Sequence, residues 1–439
     1  MEWNKLLSQK RESSAHKIAD IRNNFQRDYD RIIFSNVFRR LQNKTQVFPL
    51  PGTKLVHNRL THSLEVASVG RSIARVVLKK LSDKTDSETL NLLNDIDIIV
   101  SSACLAHDLG NPPFGHSGEE TISSYFKEGA GKELSTEIPE NQWSDLIAFE
   151  GNANAFRQLT HQFKGRRAGG MSLTFATLAT LIKYPYPSFN KGTRKKYNVF
   201  NSEIDTFVSV MEECEVPRLS AEPIYARHPL SYMMEAADDI CYLILDMEDA
   251  HKRDIISTED TTKFFSDFFD LEKEKWFFER RNEIFDIVTD KNERLAFLRA
   301  MVINKLVDCV SNVYVDNYEN IMNGCLDKSL IAHLPEHELK AMNECREFSA
   351  KYIYKHPSVV KIELTGFNVI GDLLNSFVEA IRFPEKTYNK KLLSIIPEQF
   401  MTEKNDMYSR LQVVLDYISN MTDIYAVQLY KDLHGMNQS

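Results

Sequence analysis

Residues 103–120 read Ala-Cys-Leu-Ala-His-Asp-Leu-Gly-Asn-Pro-Pro-Phe-Gly-His-Ser-Gly-Glu-Glu. The opening residues close an apolar helical run, and His107 and Asp108 stand side by side at its end. Imidazole nitrogen and carboxylate oxygen both ligate divalent cations, so such neighbours can serve one ion. Gly110 is expected to end the helix, and Asn111-Pro112-Pro113 to keep it from resuming. His116 lies nine residues beyond His107, with Glu119 three further on. That spacing puts an acid/base pair on the loop just past the metal pair, which is how a hydrolytic metal centre can be built.

Outward from this segment the chain reads as helix. Gly and Pro are sparse, at 16 and 14, and alternating β-branched patterns are rare. Helical periodicity covers 31–42, 59–82, 95–109, 117–127, 143–161, 173–183, 203–213, 229–252, 291–316, 337–354, 366–382 and 406–434. Val359–Leu364 reads as a strand, and a short hairpin is expected at 46–57 around Pro49-Leu50-Pro51-Gly52. The expected fold is therefore mostly α. A core to residue 255, a helical insert or connection over 256–355, and a C-terminal helical region from 356 describe its organisation, unless the three form one continuous domain.

A chain of 439 residues can bury a large core. Its net charge of −8 argues against a general nucleic-acid coat but leaves room for a local anion pocket. No apolar run approaches the roughly 18–20 residues of a membrane span, and the N-terminus carries no signal-peptide core. Six scattered cysteines without C-x-x-C spacing read as reduced thiols of a cytoplasmic protein.

A divalent metal wants more than two protein ligands. His62 lies at the start of a helix in Arg59-Leu60-Thr61-His62-Ser63-Leu64-Glu65-Val66. Asp238 lies mid-helix in an apolar setting, where a charge is seldom buried unless paired or metal-bound. Alone, His62 reads as a satisfied half-buried histidine and Asp238-Asp239 as a salt-bridged or solvated face; the order H…HD…D is more specific than its parts. Asp238, Tyr242 and Asp246 are spaced i, i+4, i+8 and share one helix face. Such a stripe could meet a metal-bound phosphate, a sugar ring and a sugar hydroxyl in turn, or be an ordinary amphipathic face.

Several stretches together resemble the HD-domain phosphohydrolase superfamily, and within it the bacterial deoxyguanosine triphosphate triphosphohydrolase family. They are Arg39-Arg-Leu-Gln-Asn-Lys-Thr-Gln-Val-Phe, Arg59-Leu-Thr-His-Ser-Leu-Glu-Val, His107-Asp-Leu-Gly-Asn-Pro-Pro-Phe-Gly-His-Ser-Gly-Glu, Phe149-Glu-Gly-Asn-Ala, Lys183-Tyr-Pro-Tyr, Glu235-Ala-Ala-Asp-Asp-Ile and Asp416-Tyr-Ile-Ser-Asn-Met-Thr-Asp. The resemblance implies an HD-domain helical core that holds one divalent ion per subunit, Mn²⁺ or Mg²⁺, on His62, His107, Asp108 and Asp238. It implies that His116 is catalytic with Glu119 as its carboxylate partner, and that Arg59 meets the α-phosphate. Gln46 and Val47 would line sugar and base, Tyr242 and Asp246 would meet the deoxyribose and its 3′-hydroxyl, Lys183, Tyr184 and Lys196 the triphosphate, and Asn152 the nucleotide. Two departures stand out. Asn111 replaces a histidine common in related hydrolases, and the stretch after Asp423 lacks an expected basic residue, for which Arg410 is a candidate substitute.

The reaction implied is water attack on the α-phosphorus of dGTP, giving deoxyguanosine and inorganic triphosphate, with His116 supplying a proton or positioning the water. No G-x-x-x-x-G-K-[ST] loop is present, so side-chain cations must hold the phosphates. The alternatives are a broad-specificity dNTP triphosphohydrolase regulated by nucleotide or single-stranded DNA, an HD phosphomonoesterase or cyclic-nucleotide phosphodiesterase, and a sensing module without turnover. The resemblance further implies a homo-oligomer, a hexamer, with single-stranded DNA as a candidate effector and no membrane partner.

Overall fold

The computed structural model describes residues 1–12, 21–48, 56–82 and 84–436. Among them are 21 α-helices and no sheet; extended pairing is limited to isolated bridges such as Thr45–Asn58, Pro187–Val199 and Arg218–Tyr225. The tip of the expected 46–57 hairpin lies outside the described residues, and the Thr45–Asn58 bridge closes its base.

Two helices form the frame of the site. Arg59–Leu81 begins at a capping box in which the Asn58 side chain accepts from the Thr61 amide and the Thr61 hydroxyl bonds back. Pro229–Lys252 begins with Pro229 in its first turn, and the His228 side chain caps the Leu230 amide. It is buried along most of its length, which explains why its apolar pattern runs all round. Both pack on Ile96–Ala106, and Lys291–Asp316 lies along Arg59–Leu81. A second cluster of buried apolar residues joins His116–Lys127 to Pro357–Arg382, Met407–Ser419 and Asp423–Leu433.

Val359–Leu364 is not a strand but part of the Pro357–Arg382 helix. Pro357 at the helix start and the His356 side chain accepting from the Ser358 amide fix helical geometry there. Buried Gly366, Val369, Ile370, Leu373, Leu374 and Phe377 continue at helical spacing. Three expected long helices are each broken by a capping residue. Ser35 restarts the chain at Asn36, Glu150 at Gly151 and Thr422 at Asp423, each side chain accepting an amide of the new first turn. By length and composition one stretch, Ser87–Ala106, does reach what a membrane span needs, contrary to the reading of the apolar runs. It is interrupted by a 3-10 turn at Leu93–Asp95, and its Ile96–Ala106 part is core. All six cysteines are free.

Candidate metal and nucleotide site

Helix Ile96–Ala106 ends at His107, whose Nδ1 lies 2.6 Å from the Cys104 carbonyl. That contact makes Nδ1 the protonated nitrogen and turns the Nε2 lone pair inward. His107 Nε2 is buried and has no hydrogen-bond partner. It sits 3.4 Å from Asp238 Oδ1, and His62 Nε2 sits 3.3 Å from the same oxygen. One ligand atom from each of His62, His107 and Asp238 falls within 4.8 Å of the others. Three helices thus deliver two imidazoles and a carboxylate to one point, and an unpartnered buried lone pair faces it. This donor set fits a divalent cation.

Asp108 stands beside this triangle, its Oδ1 3.5 Å from His107 Nε2. Its Oδ2 accepts from Arg59 at 2.8 Å, and Oδ1 accepts from Asn111. Burial works against the Asp108 carboxylate, but Arg59, His107 and His62 together outweigh it and hold the carboxyl well below its usual range. Asp238 is held low in the same way, with Lys183 as its strongest opposing charge. Both are ionised, the state metal ligation would need.

The loop after His107 owes its shape to backbone constraints more than to the proline pair. Gly110 has ordinary φ; a Cβ there would lie 2.0 Å from the Ala155 nitrogen and 2.1 Å from the Gly151 carbonyl. Its role is close approach to the Gly151–Thr160 helix, not a left-handed helix cap. The left-handed residues come later, at Phe114 and Gly115. Gly115 lies against the Arg59 guanidinium, where a Cβ would come within 2.3 Å of a terminal nitrogen.

His116 and Glu119 then open the next helix. His116 presents an open face to the site cavity. Desolvation by the surrounding protein, reinforced by the charges of Lys196 and Arg59, pushes its pKa down to about 4. Its imidazole is therefore neutral at pH 7. Glu119 does not bond His116 directly. Its Oε1 accepts from the Gly151 amide at 3.1 Å, Oε2 lies 3.7 Å from Lys196, and burial raises its pKa.

One cavity of about 220 Å³ is lined by Gln46, Arg59, His62, His107, Asp108, His116, Glu119, Asn152, Lys183, Tyr184, Lys196, Asp238 and Tyr242. Of the residues singled out from the sequence, Val47, Asp246 and Arg410 do not line it. Val47 packs on the main core, and Asp246 is buried, with the Tyr354 hydroxyl donating to its Oδ2 at 2.8 Å. Gln46 Oε1 is buried without a hydrogen-bond partner among the described residues. Lys183 lies 2.5 Å from Asp238, and Lys196 lies 3.1 Å from Glu150.

Other contributors have no role assigned to them from the sequence. Asn111, Glu150, Glu235 and Asp239 also line the cavity. Tyr354 follows a π-helical turn at Ser349–Ile353 and brings its ring centroid to 6.0 Å from that of Tyr242. Asp423 accepts from the Thr45 amide at 2.9 Å and from the Phe114 amide at 3.0 Å, tying the segment before Gln46 to the loop before His116. Lys44 donates to the Asn111 and Ser419 carbonyls, and burial lowers its pKa to about 7. Asp423 is legible as a helix cap neighbour, but nothing near it in sequence reveals these partners.

The helical fold and the His/Asp triangle define an HD-domain protein of the phosphohydrolase type. Residues 59–168 match the HD domain, and residues 332–432 match the phosphohydrolase-associated domain. Over the full length of both chains it is 36% identical to a deoxyguanosinetriphosphate triphosphohydrolase-like protein of Synechocystis sp.. A protein of the same description in Pseudomonas aeruginosa is 33% identical over 99% of each chain, and one in Listeria innocua 32% over all of both. The chain belongs to this deoxyguanosinetriphosphate triphosphohydrolase-like family.

Proposed function

We propose that the protein hydrolyses dGTP to deoxyguanosine and inorganic triphosphate. The observation that carries this reading is the junction of the His62–His107–Asp238 triangle with Arg59, His116 and two lysines in one cavity. His62, His107, Asp238 and the adjacent Asp108 would hold one divalent ion, Mn²⁺ or Mg²⁺. Such an ion, when bound, polarises a phosphate oxygen and lowers the pKa of water.

Arg59 already has its charge held in place by Asp108, and its position beside His116 suits it to the α-phosphate. Water attacks the α-phosphorus, and the bond from that phosphorus to the 5′-oxygen breaks. The water oxygen stays with the triphosphate, and a proton completes the deoxynucleoside hydroxyl. His116 is the group that handles this proton. Burial and the charges of Lys196 and Arg59 hold its imidazole neutral in the free site, and a bound polyanion would offset the two charges. Glu119 acts on it through the common environment of Lys196 and Gly151 rather than by direct contact.

Lys183, Tyr184 and Lys196 take the remaining phosphates. Tyr242, backed by Tyr354, forms a wall against C2′ that excludes a ribose hydroxyl, and Asp246 with the Tyr354 hydroxyl is the polar pair for the 3′-hydroxyl. Asn152 completes the nucleotide's surroundings, while Val47, packed on the core, lies outside the cavity. Gln46, with a buried carbonyl oxygen free to accept, reads the purine edge. The working assembly is a homo-oligomer, a hexamer, as the resemblance implies. Incubation with each of the four dNTPs and Mn²⁺, with ion-exchange separation of products, tests the substrate. The expected result is kcat/KM at least about tenfold higher for dGTP, since one wrong base edge leaves a buried group unpaired. Comparable values for all four would make it a broad-specificity dNTP hydrolase.

A further inference from the structure

We propose that the cavity adjoining the phosphate end of the site is a polyphosphate chamber, through which the enzyme also accepts deoxynucleoside 5′-tetraphosphates. This rests on the assignment of Lys183 and Lys196 to the triphosphate. The site cavity holds about 220 Å³, below the roughly 300–1,000 Å³ usual for small-molecule sites. A second cavity of about 730 Å³ shares Lys183, Tyr184, Lys196 and Glu235 with it. The residues of the nucleoside end, Gln46 and Tyr242, and the His/Asp cluster line the first cavity and not the second. The second therefore opens from the tail of the triphosphate, away from the sugar.

Its walls carry the charge such a tail needs. Beyond the two shared lysines it is lined by Arg194, Lys195, Arg227 and Lys328, against Glu235 and Asp327. Glu235 is already engaged by Arg227 at 2.8 Å. Arg194, Lys195 and Lys328 have no carboxylate partner among the described residues. Arg194 is held in the wall by Tyr186, its guanidinium 4.7 Å from the ring centroid. The wall itself is pinned. The Tyr184 amide donates to Asn198 at 2.7 Å, Pro187 bridges Val199, and the Tyr225 amide donates to the Pro185 carbonyl at 3.0 Å. Exposed lysines and arginines are ordinarily solvated. These instead converge on a concavity that continues a phosphate site, where like charges add to one focused potential.

A fourth phosphate enters this chamber without altering the chemistry. Water attacks the α-phosphorus, the same bond to the 5′-oxygen breaks, and the products are deoxyguanosine and inorganic tetraphosphate. The double variant Arg194→Ala with Lys328→Ala tests this against wild type, with dGTP and deoxyguanosine 5′-tetraphosphate as substrates. Calorimetric titration with inorganic tetraphosphate runs in parallel. Wild type should hydrolyse both nucleotides. The double variant should lose about tenfold in kcat/KM on the tetraphosphate, the scale of one lost charge-assisted contact, and stay within about twofold on dGTP. Affinity for inorganic tetraphosphate should fall by the same factor. Equal losses on both nucleotides, or none on the tetraphosphate, overturn the chamber. If wild type turns over neither nucleotide, the triphosphohydrolase reading fails by itself. The calorimetry then decides: tetraphosphate binding that weakens in the double variant upholds the chamber, and absent or unchanged binding overturns it.

Discussion

Lys183 Nζ lies 2.5 Å from one oxygen of Asp238, while the other oxygen faces His62 and His107 at 3.3 and 3.4 Å. One carboxylate thus joins the His62–His107 corner to the Lys183 ammonium. On the proposed assignment of Lys183 to the triphosphate, replacing it by Met removes a phosphate contact and leaves Asp238 Oδ1 facing the two histidines. KM should rise by about tenfold or more, the scale of a lost charge-assisted hydrogen bond, with metal affinity retained. Metal titration beside steady-state kinetics separates the two effects. Loss of metal with unchanged KM would make Lys183 a support for the ligand instead.

His116→Ala should keep the metal and nucleotide affinity and lose turnover by about two to four decades, the usual scale of general acid–base catalysis. The motivation is a neutral imidazole facing the cavity between Lys196 and Arg59. Nucleotide binding measured by calorimetry should be near wild type. A small change in rate with a large rise in Kd would assign His116 to binding.

Asp423→Ala leaves the Thr45 and Phe114 amides without their acceptor. Each unmet buried amide costs about 1–3 kcal/mol, so Tm should fall, and loss of the tie between the two loops should raise KM. Asp423→Asn keeps one acceptor oxygen and should lie between. Wild-type KM in the alanine variant would remove Asp423 from any part in organising the site.

His57 supplies a pH dependence of stability away from the ligands. Burial alone would lower its pKa, but Asp249 at 2.8 Å and Glu65 at 3.2 Å prevail and raise it to about 10. A raised pKa means the folded state binds the proton more tightly than the unfolded chain, whose histidine titrates near 6.5. The stabilisation is full below about pH 6.5 and is lost as pH rises through about 10. Urea midpoints of wild type and His57→Gln at pH 6, 8 and 9.5 should therefore converge as pH rises. A constant gap would show that His57 does not titrate in this window.

The HD segment and the helices with strong start signals were legible because their information is local. Helical periodicity marks 59–82 and 229–252, and the structure starts those helices at the Asn58–Thr61 capping box and at Pro229. The Val359–Leu364 reading failed because adjacent β-branched residues mimic a strand while Pro357 and the buried positions after Gly366 set a helix. The long helices expected over 143–161 and 406–434 concealed Glu150 and Thr422, whose capping depends on which amide each side chain reaches. In the site, the ligand candidates came from a motif, but the ties of Asp423 to Thr45 and of Tyr354 to Asp246 span hundreds of residues or about a hundred. Only folding brings such pairs together. The same holds for Glu119, which the short spacing to His116 suggests as its direct partner but which instead turns to Gly151.

The central claim is cleavage at the 5′-oxygen with the triphosphate left whole. Hydrolysis of dGTP with Mn²⁺ in ¹⁸O-labelled water, followed by mass spectrometry of the separated products, tests it directly. The expected products are unlabelled deoxyguanosine and intact triphosphate carrying one ¹⁸O. Formation of dGMP with pyrophosphate, release of orthophosphate, or label in the nucleoside hydroxyl would contradict it.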